Sequence, residues 1–175
     1  MFLEAEHLYL REVRPSDVNE CYYGWMNDPS VTQYLESRFF PNSMEGLRKY
    51  VESKLDDRDN VFLAMVLKNG HRHIGNIKLG PINWIHRTGD IGLLIGPQDC
   101  WGKGYATEAI KLVTDYAFRI LGLQKVTASS YDANQGSIRA FQKAGFEIEG
   151  VRKQQFYCHG RRVDMVLMGI VNQDL

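Results

Sequence analysis

The sequence predicts a mixed α/β fold, with helices packed on a largely antiparallel, twisted sheet. Three observations lead there. Residues 61–79 hold two apolar runs on either side of Asn69-Gly70, a strong hairpin signal. Residues 104–121 carry Ala106, Ile110, Val113, Ala117 and Leu121 at three- and four-residue spacing, the stripe of a half-buried helix. Residues 146–170 divide into two strand-like runs about His159-Gly160.

The elements follow in order. Leu8–Val13 reads as a strand, Leu8 and Leu10 alternating against Tyr9 and Arg11. Pro15-Ser16-Asp17 punctuates, and Ser16 or Asp17 can cap a helix running to about Met26. Asn27-Asp28-Pro29 stops it, and a helical turn follows over Val31–Leu35. Asn42, with Glu45 three residues on, resembles a capping box and would open a helix to about Leu55. Strands are expected near Val61–Leu67, His73–Leu79 and Asp90–Ile95, the last bounded by Gly89 and Gly96-Pro97. The helix from Gly104 ends near Leu121, where Gly122 is a natural stop. A strand at Lys125–Tyr131, a helix at Gln135–Ala144 ending on Gly145, and strands near Phe146–Tyr157 and Arg162–Ile170 complete the order β-α-α-β-β-β-α-β-α-β-β.

Composition bounds the function. A chain of 175 residues suits a single domain over 1–175. Hydrophobic residues at 44 % and charged residues at 24 % exclude a disordered chain or a coiled-coil rod. Lys plus Arg and Asp plus Glu both total 21, so there is no basic footprint for nucleic acid and no draw to an anionic membrane. Cys21, Cys100 and Cys158 form no disulfide framework, and reduced thiols in the cytoplasm are the expectation. The N-terminus carries acidic residues where a signal peptide needs basic ones, and no apolar run of about 18 residues could span a membrane.

The segment from Gly96 to Ala109 carries the chemistry. It lies between a strand and a long helix. Gly102 and Gly104 remove Cβ atoms where the chain must turn tightly, and Ala106 keeps the first helical turn clear. Unsatisfied N–H groups there, at the positive end of the helix dipole, make a seat for phosphate or pyrophosphate; the plain alternative is a glycine loop that merely caps a helix. It is not a P-loop, because Lys103 precedes Gly104 with no Ser or Thr in place. Nor is it a dinucleotide loop, since it lies past mid-chain beside antiparallel strands.

With these residues the chain resembles the GNAT superfamily of N-acetyltransferases, in the branch of ribosomal-protein alanine, spermidine and amino-sugar acetyltransferases. The acetyl-CoA loop of that family reads [RQ]-x-x-G-x-[GA]; here it is Trp101-Gly102-Lys103-Gly104-Tyr105-Ala106, with Trp departing from the first position. A second block matches as Asn134-x-x-Ser137-x-x-x-Phe141-x-x-x-Gly145-Phe146-x-x-x-Gly150. The resemblance spans about Leu8 to Ile170. It implies a GNAT fold whose central strands splay so that the pantetheine arm of acetyl-CoA lies in the gap. Leu94, Ile95 and Gly96 are then its backbone partners. The pyrophosphate sits on the amides of Gly102, Lys103, Gly104, Tyr105, Ala106 and Thr107, and Asn134 bonds the arm or caps the next helix.

The implied reaction is aminolysis of a thioester, which needs a base for the ammonium, a donor for the oxyanion and an acid for the departing thiolate. Many members use a Tyr as that acid; its slot here is Phe141, which cannot donate. Ser137, one turn earlier, and Tyr131, at the strand end, are the candidate acids. Asp90 is the candidate base, acting through a water, and its plain reading is a turn residue after Gly89. Glu36 could hold a cationic acceptor or simply face solvent. His71 and His73 form an H-x-H beside a hairpin, with His86 further on, but no third ligand has matching spacing, so no metal is expected.

The acceptor is less defined. Trp25-Met26-Asn27-Asp28-Pro29, Tyr34-Leu35-Glu36 and Gly75-Asn76-Ile77-Lys78-Leu79 resemble members acting on nucleotide-linked amino sugars, while residues 82–87 and the C-terminal strands resemble spermidine acetyltransferases. Arg152, Lys153, Arg161 and Arg162 flank the last hairpin and could attract an anionic acceptor. The expected acceptor is a small primary amine, an amino sugar ahead of a polyamine and a ribosomal-protein N-terminus. A non-catalytic acyl-CoA sensor is the alternative from another class. Members often dimerise through their sheets or C-terminal strands, which leaves a homodimer open here.

Overall fold

The computed structural model describes residues 1–173. Eight strands form one sheet: β1 (Leu3–Glu4), β2 (Leu8–Glu12), β3 (Val61–Leu67), β4 (His73–Leu79), β5 (Thr88–Ile95), β6 (Lys125–Tyr131), β7 (Glu147–Cys158) and β8 (Arg161–Val171). Their spatial order is β1-β2-β3-β4-β5-β6-β8-β7. Every neighbouring pair is antiparallel except β5 and β6, which are parallel. A parallel pair needs a long crossover. It is supplied by helix α4 (Tyr105–Arg119).

Strand alternation sends one set of side chains to each face. On one face Leu8, Leu10, Met65, Ile77, Ile91 and Val126 pack against Ile110, Val113 and Ala117 of α4 and against Ile138 and Phe141 of α5 (Gln135–Lys143). On the other, Ala64 and Val66 pack with Tyr22 of α1 (Glu20–Asn27) and with Leu47 and Val51 of α3 (Met44–Glu52). The single turn α2 (Pro29–Thr32) lies between these two helices in the chain. Each large side chain so buried contributes about 1.5–3 kcal/mol before ordering costs. No helix among the described residues is long and apolar enough to cross a membrane. The three cysteines are free thiols, with Cys100 and Cys158 buried.

Most expected elements are present, with local corrections. Neither Ser16 nor Asp17 caps α1; Asn19 does, its side chain accepting from the amides of Cys21 and Tyr22. Asp17 is instead bound by Arg11 at 2.7 and 2.8 Å. Asn42 does not open α3; Ser43 accepts from Gly46 N at 3.0 Å, and Asn42 reaches across to Met26 O at 2.9 Å. The β3–β4 connection is longer than a two-residue hairpin, because a short 3-10 turn over Asn69–His71 intervenes. At the other hairpin His159 and Gly160 both take positive φ, 48° and 79°, as a tight turn between twisted strands requires.

Candidate active site

The parallel pair is short. β5 and β6 pair only at Thr88↔Lys125, Gly89↔Val126 and Asp90↔Thr127. Beyond Asp90, β5 continues to Ile95 paired with β4 alone, and β6 continues to Tyr131 paired with β8 alone. The two strands therefore open a V whose apex is Asp90 and Thr127. Gly92 and Ser129, just past the apex, are exposed.

Hydrogen-bonding parity decides which groups face the gap. Gly80 N donates to Asp90 O at 2.7 Å, and Gly96 N donates to Ile74 O at 3.0 Å. In an antiparallel ladder such pairs alternate, so Gly92, Leu94 and Gly96 turn their N–H and C=O groups to β4. Leu93 and Ile95 turn theirs to the gap. This corrects the expectation for Leu94 and Gly96, whose backbone groups are committed to the sheet. Gly96 is needed for a different reason: a Cβ there would overlap the Trp25 ring. Ile95 turns its backbone to the gap, and its carbonyl accepts from Trp101 Nε1 at 2.9 Å.

The glycine loop has the geometry of an anion seat. Gly102 and Gly104 take φ of 71° and 87°, and a Cβ at either would point into open space. Gly104 is the N-cap of α4 and offers no side chain, so the first-turn amides have no side-chain acceptor. The acidic residue of that turn, Glu108, is drawn aside by His7, whose backbone N donates to it at 2.7 Å. The start of the loop is anchored by a two-pronged Arg72–Asp99 pair at 2.7 and 3.0 Å, which holds the Asp99 carboxyl below its ordinary range. The open edge of β5 and these amides fit a pantetheine arm and a pyrophosphate in line.

At the apex, Asp90 Oδ1 accepts from Thr127 Oγ1 at 2.9 Å. Burial pushes the Asp90 pKa up, opposed by that hydrogen bond and by the charge of Lys78. A half-buried carboxylate with a raised pKa, beside an open gap, is suited to accept a proton. Asp90, Gly92 and Leu94 share the face covered by α1, because Ile91, Leu93 and Ile95 pack on the α4 side.

Further along that face, Tyr131 is only 5 % exposed. Its ring stacks on Phe156 at 4.1 Å and tilts against Tyr34 at 5.6 Å. Its hydroxyl oxygen accepts from Arg38 Nη1 at 3.1 Å. Asn134 is the N-cap of α5, accepting from Ser137 N at 3.2 Å, so the capping role is realised and its amide group remains for a ligand. Ser137 lies on the first turn of α5, which packs on the opposite face of the sheet from α1. Phe141 is buried in the core with its ring edge-on to Phe146, 5.0 Å away. Glu36 is exposed. The histidines are apart from the gap's apex: His71 Nδ1 is 3.2 Å from Tyr9 Oη, and His73 Nε2 lies 2.9 and 3.0 Å from Gly75 O and Asn76 Oδ1. Among the described residues no three His, Cys, Asp or Glu side chains gather at a metal-binding distance.

Sequence reasoning missed Leu93, Thr127 and Arg38. Strand alternation back from Tyr131 places Thr127 on the same face, but only the register puts it beside Asp90.

The family model described as an acetyltransferase (GNAT) domain matches residues 7–147. The chain belongs to the GNAT acetyltransferase family. An uncharacterized N-acetyltransferase of Bacillus subtilis, YoaA, is 29 % identical over 171 residues, covering 97 % of this chain and 96 % of that one. The spermidine N(1)-acetyltransferase of Vibrio cholerae is 32 % identical over 114 residues, 65 % of each chain. A GNAT-family acetyltransferase structure from Bacillus anthracis superposes with a TM-score of 0.84 at 25 % identity over 98 % of both chains. The Vibrio cholerae spermidine N-acetyltransferase, solved in complex with CoA and spermine, gives 0.84 at 26 % over 94 % of this chain and 95 % of that one. The protein is thus an acetyl-CoA-dependent N-acetyltransferase.

Proposed function

We propose that the enzyme acetylates the primary amine of a small acceptor, an amino sugar, by direct attack within a ternary complex. The observation that carries this reading is the Asp90 carboxylate at the apex of an open strand gap, with an anion seat at the gap's far end. Acetyl-CoA, when bound, supplies the thioester. The outward edge of Leu93 and Ile95 would align the arm, and the amides of Gly102 to Thr107 would hold the pyrophosphate. Asp90 takes the proton from the acceptor ammonium through a water, with Thr127 fixing the carboxylate. Ser137 returns a proton to the departing thiolate, and Tyr131 is the second candidate for that role.

A polyamine acceptor is the second reading, favoured by the similarity to the Vibrio cholerae spermidine enzyme. Glu36 would then hold the cationic chain. The test is free-thiol release from acetyl-CoA against amino sugars, amino-sugar nucleotides, polyamines and short N-terminal peptides. Turnover on amino sugars supports the first reading. Turnover on polyamines alone supports the second. Tight acetyl-CoA binding with no turnover on any amine would overturn both.

A further inference from the structure

Arg38 belongs to the 3-10 turn Glu36–Phe39. Its Nη1 donates to Leu35 O at 2.9 Å and to Tyr131 Oη at 3.1 Å, and its Nη2 donates to Tyr157 O at 2.5 Å. The guanidinium carbon is 4.2 Å from the Phe39 ring centre and 5.2 Å from that of Tyr131. Every one of these partners is neutral. Among the described residues no carboxylate lies in ion-pair contact with it. Arg38 is nonetheless half-buried. A charge partly removed from water with no opposite charge is costly unless a ligand completes it.

The surroundings point the same way. Residues 150–163 contain Arg152, Lys153, Arg161 and Arg162 and no Asp or Glu, in a chain of net charge zero. Lys153 is committed to Asp164 at 2.8 Å and Arg162 to Gln154 O at 3.3 Å. Arg161 is exposed, and by strand alternation it shares a face with Val163, which packs with Tyr131. Arg38 lies against the Tyr131 ring of that cluster, and Arg161 stands two residues from Val163 on the same face of β8.

The distance to the reacting end follows from the strand. Thr127, which holds Asp90, and Tyr131, which holds Arg38, are four residues apart on one face of β6, roughly 13 Å. We infer that Arg38 and Arg161 form an anion subsite, and that the acceptor is a primary amine carrying a phosphate or diphosphate ester. This inference rests on the reading of the enzyme as a small-amine acetyltransferase and deepens it. A polyamine, cationic along its length, would meet Arg38 unfavourably.

The experiment is steady-state thiol release at saturating acetyl-CoA. The acceptors are an amino sugar, its 1-phosphate, its nucleoside diphosphate conjugate and spermidine. Wild type is compared with Arg38→Gln, Arg38→Lys and Arg161→Gln. The wild type is expected to favour a phosphorylated acceptor, and the preferred one distinguishes a simple phosphate from a nucleotide diphosphate. Arg38→Gln should raise KM for that acceptor about 10- to 100-fold, the range of one charge-assisted contact, with the KM for acetyl-CoA within about twofold. Arg38→Lys should recover part of the loss. Arg161→Gln, an exposed change that leaves the packed cluster alone, should raise the same KM about three- to tenfold. Equal losses on phosphorylated and unphosphorylated amines would show Arg38 to be a structural pin and overturn the inference. So would spermidine as the preferred acceptor, which would leave the acetyltransferase reading standing. Absence of turnover with every amine is a separate result and refutes that underlying reading.

Discussion

Asp90→Asn separates the proposed proton acceptor from everything else that the residue does. Asn keeps the shape, and its Oδ1 can still accept from Thr127 Oγ1, now at 2.9 Å. What is lost is the capacity to take a proton. General-base catalysis typically contributes about 10²- to 10⁴-fold, which is roughly 3–5.5 kcal/mol of barrier. The expected kcat/KM therefore falls about 100-fold or more, while acetyl-CoA affinity by calorimetry stays within about twofold. The pH profile adds a second readout. Burial raises the Asp90 pKa above the ordinary 3.8 of an aspartate. In the wild type kcat/KM should fall as pH drops through that raised value, and the Asn variant should lose this acid limb. Stability has its own sign. A carboxyl whose folded pKa is raised favours the fold when protonated, and that contribution is lost as pH rises through the folded value. Asp90→Asn removes the loss, so its melting temperature should gain on the wild type as pH rises from 4 to 7. An Asn variant with full activity and an unchanged acid limb would refute the role assigned to Asp90.

Other expected outcomes follow from single contacts. Gly104→Val forces a branched side chain into φ 87° and fills the anion seat, so acetyl-CoA affinity should weaken at least about tenfold by calorimetry. Trp101→Phe deletes only the indole hydrogen bond to Ile95 O, and the KM for acetyl-CoA should rise about two- to tenfold. Gly96→Ala drives a methyl group into the Trp25 ring, and chemical denaturation should show a loss of about 1–3 kcal/mol. Burial holds the His73 pKa below its ordinary 6.5, so its contribution to stability is present above 6.5 and lost as pH falls through the lower folded value. His73→Gln should flatten the drop in melting temperature between pH 7 and pH 5.

Much of the fold was legible because its signals are local. The stripe Ile110, Val113 and Ala117 marks α4 without reference to any other element, and Gly122 ends it with φ 66°. The loop was legible because Gly102 and Gly104 occupy conformations other residues avoid. Helix starts were misplaced where several capping residues crowd together. Ser16, Asp17 and Asn19 can all cap, and so can Asn42 and Ser43. The choice falls to whichever backbone turns extended just before the helix, as at Asn19 and Ser43. Site residues set by distant pairing were not legible. The outward edge of Leu93 depends on the β4 register, the Thr127 contact on the parallel register, and the reach of Arg38 to Tyr131 spans 93 residues. Tyr131 was found from its place at a strand end, but its ties to Arg38 and Phe156 lie outside any local pattern.

Hydrogen exchange at β5 tests most directly whether the strand gap is the acetyl-CoA site. In the free protein the Leu94 and Gly96 amides, bonded to β4, should exchange slowly, and those of Leu93 and Ile95 should exchange quickly. Saturating acetyl-CoA should slow Leu93 and Ile95 together with the amides of Gly102 to Thr107. Protection that appears elsewhere, with Leu93 and Ile95 unchanged, would contradict the placement of acetyl-CoA in the gap and the role of Asp90 at its apex.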